Sequence, residues 1–146
     1  MTTAAFGHIV LVGAGNMGGA MLAGWLKNGV PGSSVTVLDP GPSDKMMSLM
    51  TEAGARHATS APEGLVADIL FLAVKPQVMD AVLPGLKSLV GAQTTVVSVA
   101  AGKTIATMEE HLGKAAMVRA MPNTPAMVGR GVTGAFANAA VSGTQR

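Results

Sequence analysis

The sequence predicts an α/β fold, a doubly wound and mostly parallel sheet with helices on both faces. Short β-rich runs alternate with helical stretches, the pattern typical of parallel strands joined by crossover helices. Hydrophobic residues make up 49% of the chain and charged residues only 12%, which favours strands buried on both faces. A glycine-rich segment, Gly13–Gly18 (GAGNMG), follows the first β-rich run and opens the first helical stretch. This context favours the Rossmann type of doubly wound fold.

The first four elements follow from local patterns. His8–Val12 (HIVLV) is a continuous apolar run and predicts a buried first strand. Asn16–Lys27 has small or apolar residues at helical spacing and predicts the first helix. Val35–Asp39 (VTVLD) predicts the second strand. Ser43–Ala53 predicts the second helix, because Gly54 stands where a left-handed C-cap is usual.

The middle of the chain predicts a short strand, a helix start and a central strand. Arg56–Ala58 predicts a third strand of minimal length. Ser60 and Glu63 form a capping-box pattern with a proline in the first turn, so we expect a helix to begin there. Ile69–Val74 (ILFLAV) is the most apolar run and predicts a central fourth strand.

The remaining patterns complete one domain. Gln77–Leu89 predicts a helix that Pro84 interrupts, because proline cannot donate a backbone hydrogen bond. The elements expected after it are a strand at Thr94–Val99, a helix at Thr104–Leu112, a strand at Met117–Met121 and an edge strand at Val132–Ala137. We expect residues 1–140 to form one domain and residues 141–146 to begin a linker.

The bulk composition excludes several classes of protein. The net charge is +2 and no two Lys or Arg residues are adjacent, so neither a nucleic acid nor a membrane is an expected partner. The chain has no cysteine, which excludes disulfides, thiolate metal sites and cysteine nucleophiles. Neither a secretory signal nor a membrane-spanning run is found, so we expect a cytoplasmic protein, and no metal site is predicted.

The glycines of the Gly13–Gly18 segment suit a nucleotide phosphate. Gly13 permits a tight turn out of the strand, Gly15 lets the backbone approach a pyrophosphate, and Gly18 lets the helix pack against the strand. The helix N-terminus near Asn16 presents N–H groups and a positive dipole end to the phosphates. The alternative is a tight turn without a ligand.

Asp39 is the candidate reader of the adenosine ribose. It lies 21 positions after Gly18, close to the offset at which an acidic residue accepts hydrogen bonds from ribose hydroxyls, and this favours NAD(H). Ser43 and Lys45 follow closely and could instead hold the 2′-phosphate of NADP(H). Asp39 could also be only a turn residue before Pro40. The sequence leaves the cofactor choice open.

Two later loops should border the same crevice. Ala73–Gln77 (AVKPQ) ends the fourth strand, which lies beside the first in this fold, and Lys75 would place a cation near the phosphates or be a solvated lysine. Ser98–Gly102 (SVAAG) offers small residues against which a flat ring could lie. Asn123 and Thr124 stand between two prolines and could contact nicotinamide or substrate, or simply form a stiff connection.

Together GAGNMG, AVKPQ, SVAAG and VRAMPNTPA resemble pyrroline-5-carboxylate reductase over nearly the whole chain, and the MPNTP loop is the most specific of these motifs. The resemblance implies an enzyme that reduces 1-pyrroline-5-carboxylate to L-proline with NADPH or NADH. It implies cofactor contacts at Gly13, Ala14, Gly15, Asn16, Met17, Gly18, Asp39, Ala73, Val74, Lys75, Pro76, Ala100, Ala101 and Gly102, with Asn123 at the nicotinamide end.

The resemblance also implies a second half that this chain lacks. Members of the family form homo-oligomers through an all-helical C-terminal domain, which also builds the substrate site. We therefore expect a cofactor-binding half that turns over poorly by itself, and no catalytic residue is assigned. Two residues depart from the family pattern, Asp39 at the ribose and Ser60, which we interpret as a helix cap. His8, His57 and His111 lie outside the crevice loops and are interpreted as surface or packing residues.

Two other functions stay open at this stage. One is a different two-domain NAD(P)-dependent enzyme, such as a hydroxyacid or prephenate-type dehydrogenase, against which the MPNTP loop argues. The other is a module that senses NAD(H) without chemistry, which the short length favours.

Overall fold

A computed structural model describes residues 7–13, 15–99, 105–113, 116–122 and 133–137. In these ranges the chain forms a sheet of order β3-β2-β1-β4-β5-β6-β7. The strands are β1 (Ile9–Val12), β2 (Val35–Leu38), β3 (Arg56–Ala58), β4 (Ala67–Leu72), β5 (Val90–Ser98), β6 (Ala116–Pro122) and β7 (Thr133–Ala137). The helices are α1 (Asn16–Lys27), α2 (Asp44–Ala53), α3 (Pro76–Val82) and α4 (Ile105–Leu112), with 3-10 turns at Gly32–Ser34 and Leu83–Leu89.

The first six strands run parallel, and β7 pairs antiparallel with β6 at the edge. The chain winds outward from β1 to β3, then returns to place β4 on the other side of β1. Val12 of β1 is in register with Leu38 of β2 and with Leu72 of β4, so these three strands end at one level. In open α/β sheets, ligands bind where the strand order reverses in this way.

Alternate residues of the central strands enter two separate cores. Val10 and Val12 pack with the cluster that contains Met79 of α3 and Met108 of α4. Ile9 and Leu11 face the opposite way and pack with the cluster of α1 and α2, which includes these buried or half-buried side chains: Leu22, Trp25 and Met50. Both faces of the sheet are therefore covered by helices, which explains the continuous apolar runs and confirms the predicted fold class.

The helix predicted at Ser60–Glu63 is wrong. Residues 59–66 form bends and a turn, and the Leu65 N–H donates to the Pro62 carbonyl at 3.3 Å. Gly64 has φ +79°, outside the right-handed helical region, so no helix can continue through it. Ser60 is thus no helix cap. Ser43 does cap a helix, because its hydroxyl accepts from the Met46 N–H at the start of α2.

Other boundaries moved by small amounts for identifiable reasons. The helix expected over Gln77–Leu89 changes to a 3-10 turn at Leu83, one residue before Pro84, as the missing proline donor predicts. Strand β5 begins at Val90, earlier than expected, since the Thr94 hydroxyl donates to the Ala67 carbonyl across a register shift. Gly54 ends α2 in the left-handed region with φ 78°, as predicted. No helix in the described ranges is long and apolar enough to cross a membrane.

Candidate functional site

Gly13 turns the chain directly after β1. Its φ is +93°, a value that favours glycine, and its N–H donates to the Leu38 carbonyl at 2.9 Å. A Cβ on Gly13 would lie 3.0 Å from the Ala73 carbonyl oxygen and 3.0 Å from Cγ1 of Val74. The turn after β1 therefore packs against the residues that follow β4, and the Ala73 N–H donates to the Val12 carbonyl at 2.8 Å.

Gly18 brings α1 into contact with this turn. It is buried, and a Cβ on it would overlap the carbonyl oxygen of Gly13. The same Cβ would lie 3.3 Å from the Cβ of Ala73. Only glycine fits where the helix crosses the two strand ends, which agrees with the role expected for the last glycine of the motif.

Gly15 has the opposite environment. It is exposed, and no heavy atom of the described neighbours lies within 4 Å of the position of a Cβ. It is the N-cap of α1, no side-chain hydrogen bond caps this end, and its carbonyl accepts from the Gly19 N–H at 2.7 Å. The amide groups of the first turn, to which Asn16 and Met17 contribute, have no intrahelical acceptor in an α-helix. The loop thus offers an open surface of N–H donors suited to an anion.

The second predicted loop lies beside this surface. Lys75 is exposed and is the N-cap residue of α3, which begins at Pro76. The third loop starts at the same edge, because Ser98 pairs with Leu72 and the Val99 N–H donates to the Leu72 carbonyl. The ends of β1, β4 and β5 therefore meet, as the sequence predicts. The residues expected at the far end of the cofactor, Ala100, Ala101, Gly102 and Asn123, and also Ala14, lie outside the described residues.

Asp39 forms a corner directly after β2. Its N–H donates to the Ala58 carbonyl at 3.1 Å, and its carboxylate accepts from the Gly41 N–H at 2.8 Å. Its carbonyl oxygen accepts from Nε2 of His57 at 2.8 Å. Asp39 thus has the turn role that the sequence left open, and it also lines the same cleft as Gly15.

A cleft of about 930 Å³ opens between α1 and α2 next to this corner. Small residues of α1, including Gly19, Ala20 and Ala23, form one wall. Asp39 and Gly15 lie along the cleft with Ser43 and Lys45 of α2, so the rival candidates for ribose and 2′-phosphate share one space. The Ser43 hydroxyl already caps α2, whereas the Lys45 side chain is exposed.

His57 is the residue that the sequence interpretation missed. It lies in β3, outside the crevice loops as expected, yet its ring reaches the Asp39 carbonyl. The contact depends on β2 pairing with β3, where Val37 is in register with His57. No local motif indicates it.

The amino-terminal edge of the sheet has polar groups that contact one another. The Asp68 carboxylate accepts from the His8 N–H at 2.6 Å, and the Asp68 N–H donates to the His8 carbonyl at 2.9 Å. Nε2 of His8 lies 2.8 Å from the Thr36 hydroxyl. Partial burial lowers the pKa of His8, Arg56 lowers it further, and Asp68 opposes both. His111 lies 3.7 Å from Asp80, so it too is outside the crevice.

A doubly wound parallel sheet with a glycine-rich turn at its switch point defines the class of Rossmann-type dinucleotide-binding domains. Residues 8–102 match the family model described as NADP oxidoreductase, coenzyme F420-dependent. The chain belongs to this family.

Relatives of known name agree with the resemblance seen in the motifs. The chain is 42% identical over 138 residues to pyrroline-5-carboxylate reductase of Escherichia coli (strain K12), which covers 92% of this chain and 51% of the relative. It is similar in structure to a pyrroline-5-carboxylate reductase from Coxiella burnetii, with a TM-score of 0.85 and 35% identity over 96% of this chain and 53% of the other. The Plasmodium falciparum enzyme with NADP bound has a TM-score of 0.79 and 26% identity, over 94% and 50% of the two chains. This chain spans about half the length of the curated relatives it matches.

Proposed function

We propose that this chain is the cofactor-binding half of a reductase that converts 1-pyrroline-5-carboxylate to L-proline with NAD(P)H, a step of proline biosynthesis. One observation carries the proposal. The ends of β1 and β4 meet at Gly13, Gly18 and Ala73, and they do so in a chain that is similar to pyrroline-5-carboxylate reductases along nine-tenths of its length.

The described residues fit a dinucleotide. The open space above Gly15 and the amide groups of the first turn of α1 would accept a pyrophosphate. Lys75 at the neighbouring loop would add a positive charge. The predicted contacts that we carry forward are those of Gly13–Gly18, Asp39, Ala73, Val74, Lys75, Pro76, Ala100, Ala101, Gly102 and Asn123.

When bound, the reduced nicotinamide supplies the hydride that enters the carbon of the C=N bond, while the ring nitrogen takes a proton. A cyclic imine is readily protonated, so the protein contributes mainly by orientation. In this half, Gly13–Gly18 and Ala73–Gln77 would hold the dinucleotide at the sheet edge. We assign no catalytic residue to this half.

The other parts of the proposal concern the rest of the protein. We propose that residues 141–146 begin a linker after the domain of residues 1–140, and that a helical C-terminal domain forms the homo-oligomer and the substrate site. We propose that the protein is located in the cytoplasm. Support comes from the relatives, which are about twice the length of this chain.

Asp39 is proposed to favour NADH over NADPH. Asp39 lines the cleft, and a carboxylate, with about four acceptor positions, is suited to accept from ribose hydroxyls. The negative charge beside the cleft would oppose a 2′-phosphate. Lys45 of α2 lines the same cleft and would favour the phosphate, and the two residues therefore compete.

Titration of NADH and NADPH into the 146-residue chain tests the proposal, with Gly15→Val as the informative variant. Valine would fill the open space where the pyrophosphate is expected, so affinity for both cofactors should fall about tenfold or more. Gly24→Val is the matched control, because Gly24 also has an open Cβ position in α1 but lies away from the loop. The proposal would be overturned if the wild type showed saturable binding of neither cofactor. It would also be overturned if Gly15→Val bound both cofactors as tightly as the wild type does.

A further inference from the structure

Hydrogen bonds to residues of strand β3 help to hold the corner at Asp39. The Asp39 N–H donates to the carbonyl of Ala58, and the Asp39 carbonyl accepts from Nε2 of His57. Because a carbonyl oxygen can only accept, Nε2 of His57 must carry the hydrogen in this contact. The side chain of His57 thus adds a hydrogen bond between the two strands at the peptide that follows the Asp39 N–H, namely at the Asp39 carbonyl.

The Asp39 carbonyl has particular importance because Pro40 follows it. The Asp39–Pro40 peptide has no N–H, so this carbonyl is its one polar backbone group. A hydrogen bond to the carbonyl therefore fixes the orientation of the whole peptide. Pro40 also restricts its own φ to near −65°, so ψ of Pro40 is the one backbone torsion between this peptide and the Gly41 N–H that varies widely.

The Gly41 N–H donates to the Asp39 carboxylate, at 2.8 Å from Oδ1. The imidazole of His57 is therefore connected to the Asp39 carboxylate in three steps. It donates to the Asp39 carbonyl, the backbone continues through Pro40 to Gly41, and the Gly41 N–H donates to the Asp39 carboxylate. The imidazole belongs to the middle residue of the three-residue strand β3, is half-buried, and contacts Asp39, which lines the cleft.

We infer that His57 is a positioning residue, which directs the Asp39 carboxylate toward the adenosine ribose and so increases the preference for NADH over NADPH. The inference rests on the proposed function, since it assumes that a dinucleotide binds beside Asp39. His57 itself touches the Asp39 carbonyl and acts on the nucleotide only through the corner.

The decisive measurement is the ratio of the dissociation constants for NADPH and NADH, taken on the full chain below the melting temperature of every variant. His57→Leu keeps a side chain suited to a strand but cannot donate, so the ratio should fall about three- to tenfold, the effect of one hydrogen bond. His57→Gln keeps an N–H donor of similar reach and should restore most of the ratio. His57→Val serves as a second donor-free variant that favours a strand, in case the leucine variant does not fold.

Two further variants separate positioning from a general structural role. Arg56→Gln changes the neighbouring residue of β3 and should leave the ratio as in the wild type. His57→Leu in an Asp39→Ser background should produce no further change, because the residue through which His57 acts is gone. A structural role alone would lower the melting temperature and weaken both cofactors equally.

The outcomes distinguish this inference from the proposed function. If the wild type binds neither cofactor, both are overturned. If the wild type binds and the donor-free variants keep its ratio, or if His57→Gln behaves like His57→Leu, the inference about His57 alone is overturned. A lowered ratio that glutamine restores and that vanishes without Asp39 supports it.

Discussion

The parallel strands begin at one side of the sheet, the amino edge, and end at the other, the carboxyl edge. The two differ in how their polar groups are hydrogen-bonded. At the amino edge, His8 contacts both Thr36 and Asp68. At the carboxyl edge, α1 begins at the exposed Gly15 without a side-chain cap, beside a cleft of about 930 Å³. An edge whose polar groups are mutually paired stabilises the fold, whereas an edge with open N–H donors can bind a ligand. The paired groups of the amino edge have a structural role, and the open N–H donors of the carboxyl edge are suited to the proposed ligand.

Gly18→Ala should have the largest effect, because it strains the carboxyl edge at its tightest point. The new Cβ would overlap the Gly13 carbonyl, a backbone atom, so we expect a loss of about 3 kcal/mol in the free energy of unfolding. Urea denaturation measures it. Gly24→Ala in the same helix has open space and should stabilise by about 0.5–1 kcal/mol. Equal stabilities of the two variants would contradict the packing described here.

Asp39→Ser should change ligand choice at the carboxyl edge without unfolding the domain. Removal of the negative charge should shift the ratio of NADPH to NADH affinity about tenfold toward NADPH, roughly 1.4 kcal/mol. Fluorescence titration of both cofactors measures the shift. Asp44→Ser removes an exposed carboxylate at the start of α2 and is the control. An unchanged ratio in Asp39→Ser would show that Asp39 is only a turn residue.

Asp68→Ala, at the amino edge, should lower stability without changing ligand choice. It removes the carboxylate that accepts from the His8 N–H, so the free energy of unfolding should fall by about 1 kcal/mol. The affinity for NADH should stay the same, because the carboxyl edge is untouched. Denaturation and cofactor titration of the same sample test both statements. A change in cofactor affinity as large as that of Asp39→Ser would contradict the difference between the two edges.

The smallest effect expected is a pH dependence from His8. Because burial and Arg56 lower its pKa below 6.5 in the folded chain, the unfolded chain binds the proton more tightly. The contribution of neutral His8 is therefore complete above pH 6.5 and is lost as the pH falls through the lower folded pKa. The melting temperature should decrease more between neutral and mildly acidic pH in the wild type than in His8→Gln. Parallel pH profiles for the two proteins would argue against this contribution.

Local chemistry was sufficient to predict most of the frame. The run at His8–Val12 and the glycines at Gly13–Gly18 determine a buried strand followed by a turn and a helix, because a positive φ and a close backbone contact both require glycine. The adjacency of β1 and β4 then follows from the general rule for doubly wound sheets. Local pattern failed at Ser60–Glu63, because the capping box there is followed by Gly64, whose φ of +79° lies in the left-handed region and cannot continue a helix.

The sequence by itself determined the alternation of strands and helices and the glycine-rich turn after β1, and it indicated the candidate residues Asp39 and Lys75, since these depend on neighbours in the chain. The tertiary structure alone decided that Asp39 and Lys45 share one cleft and that His57 holds the Asp39 carbonyl. Those contacts join residues on different elements, and their existence depends on strand register and helix packing. Hydrophobic periodicity specifies which face of an element is buried, but it carries no information about which side chain contacts a residue of a neighbouring strand.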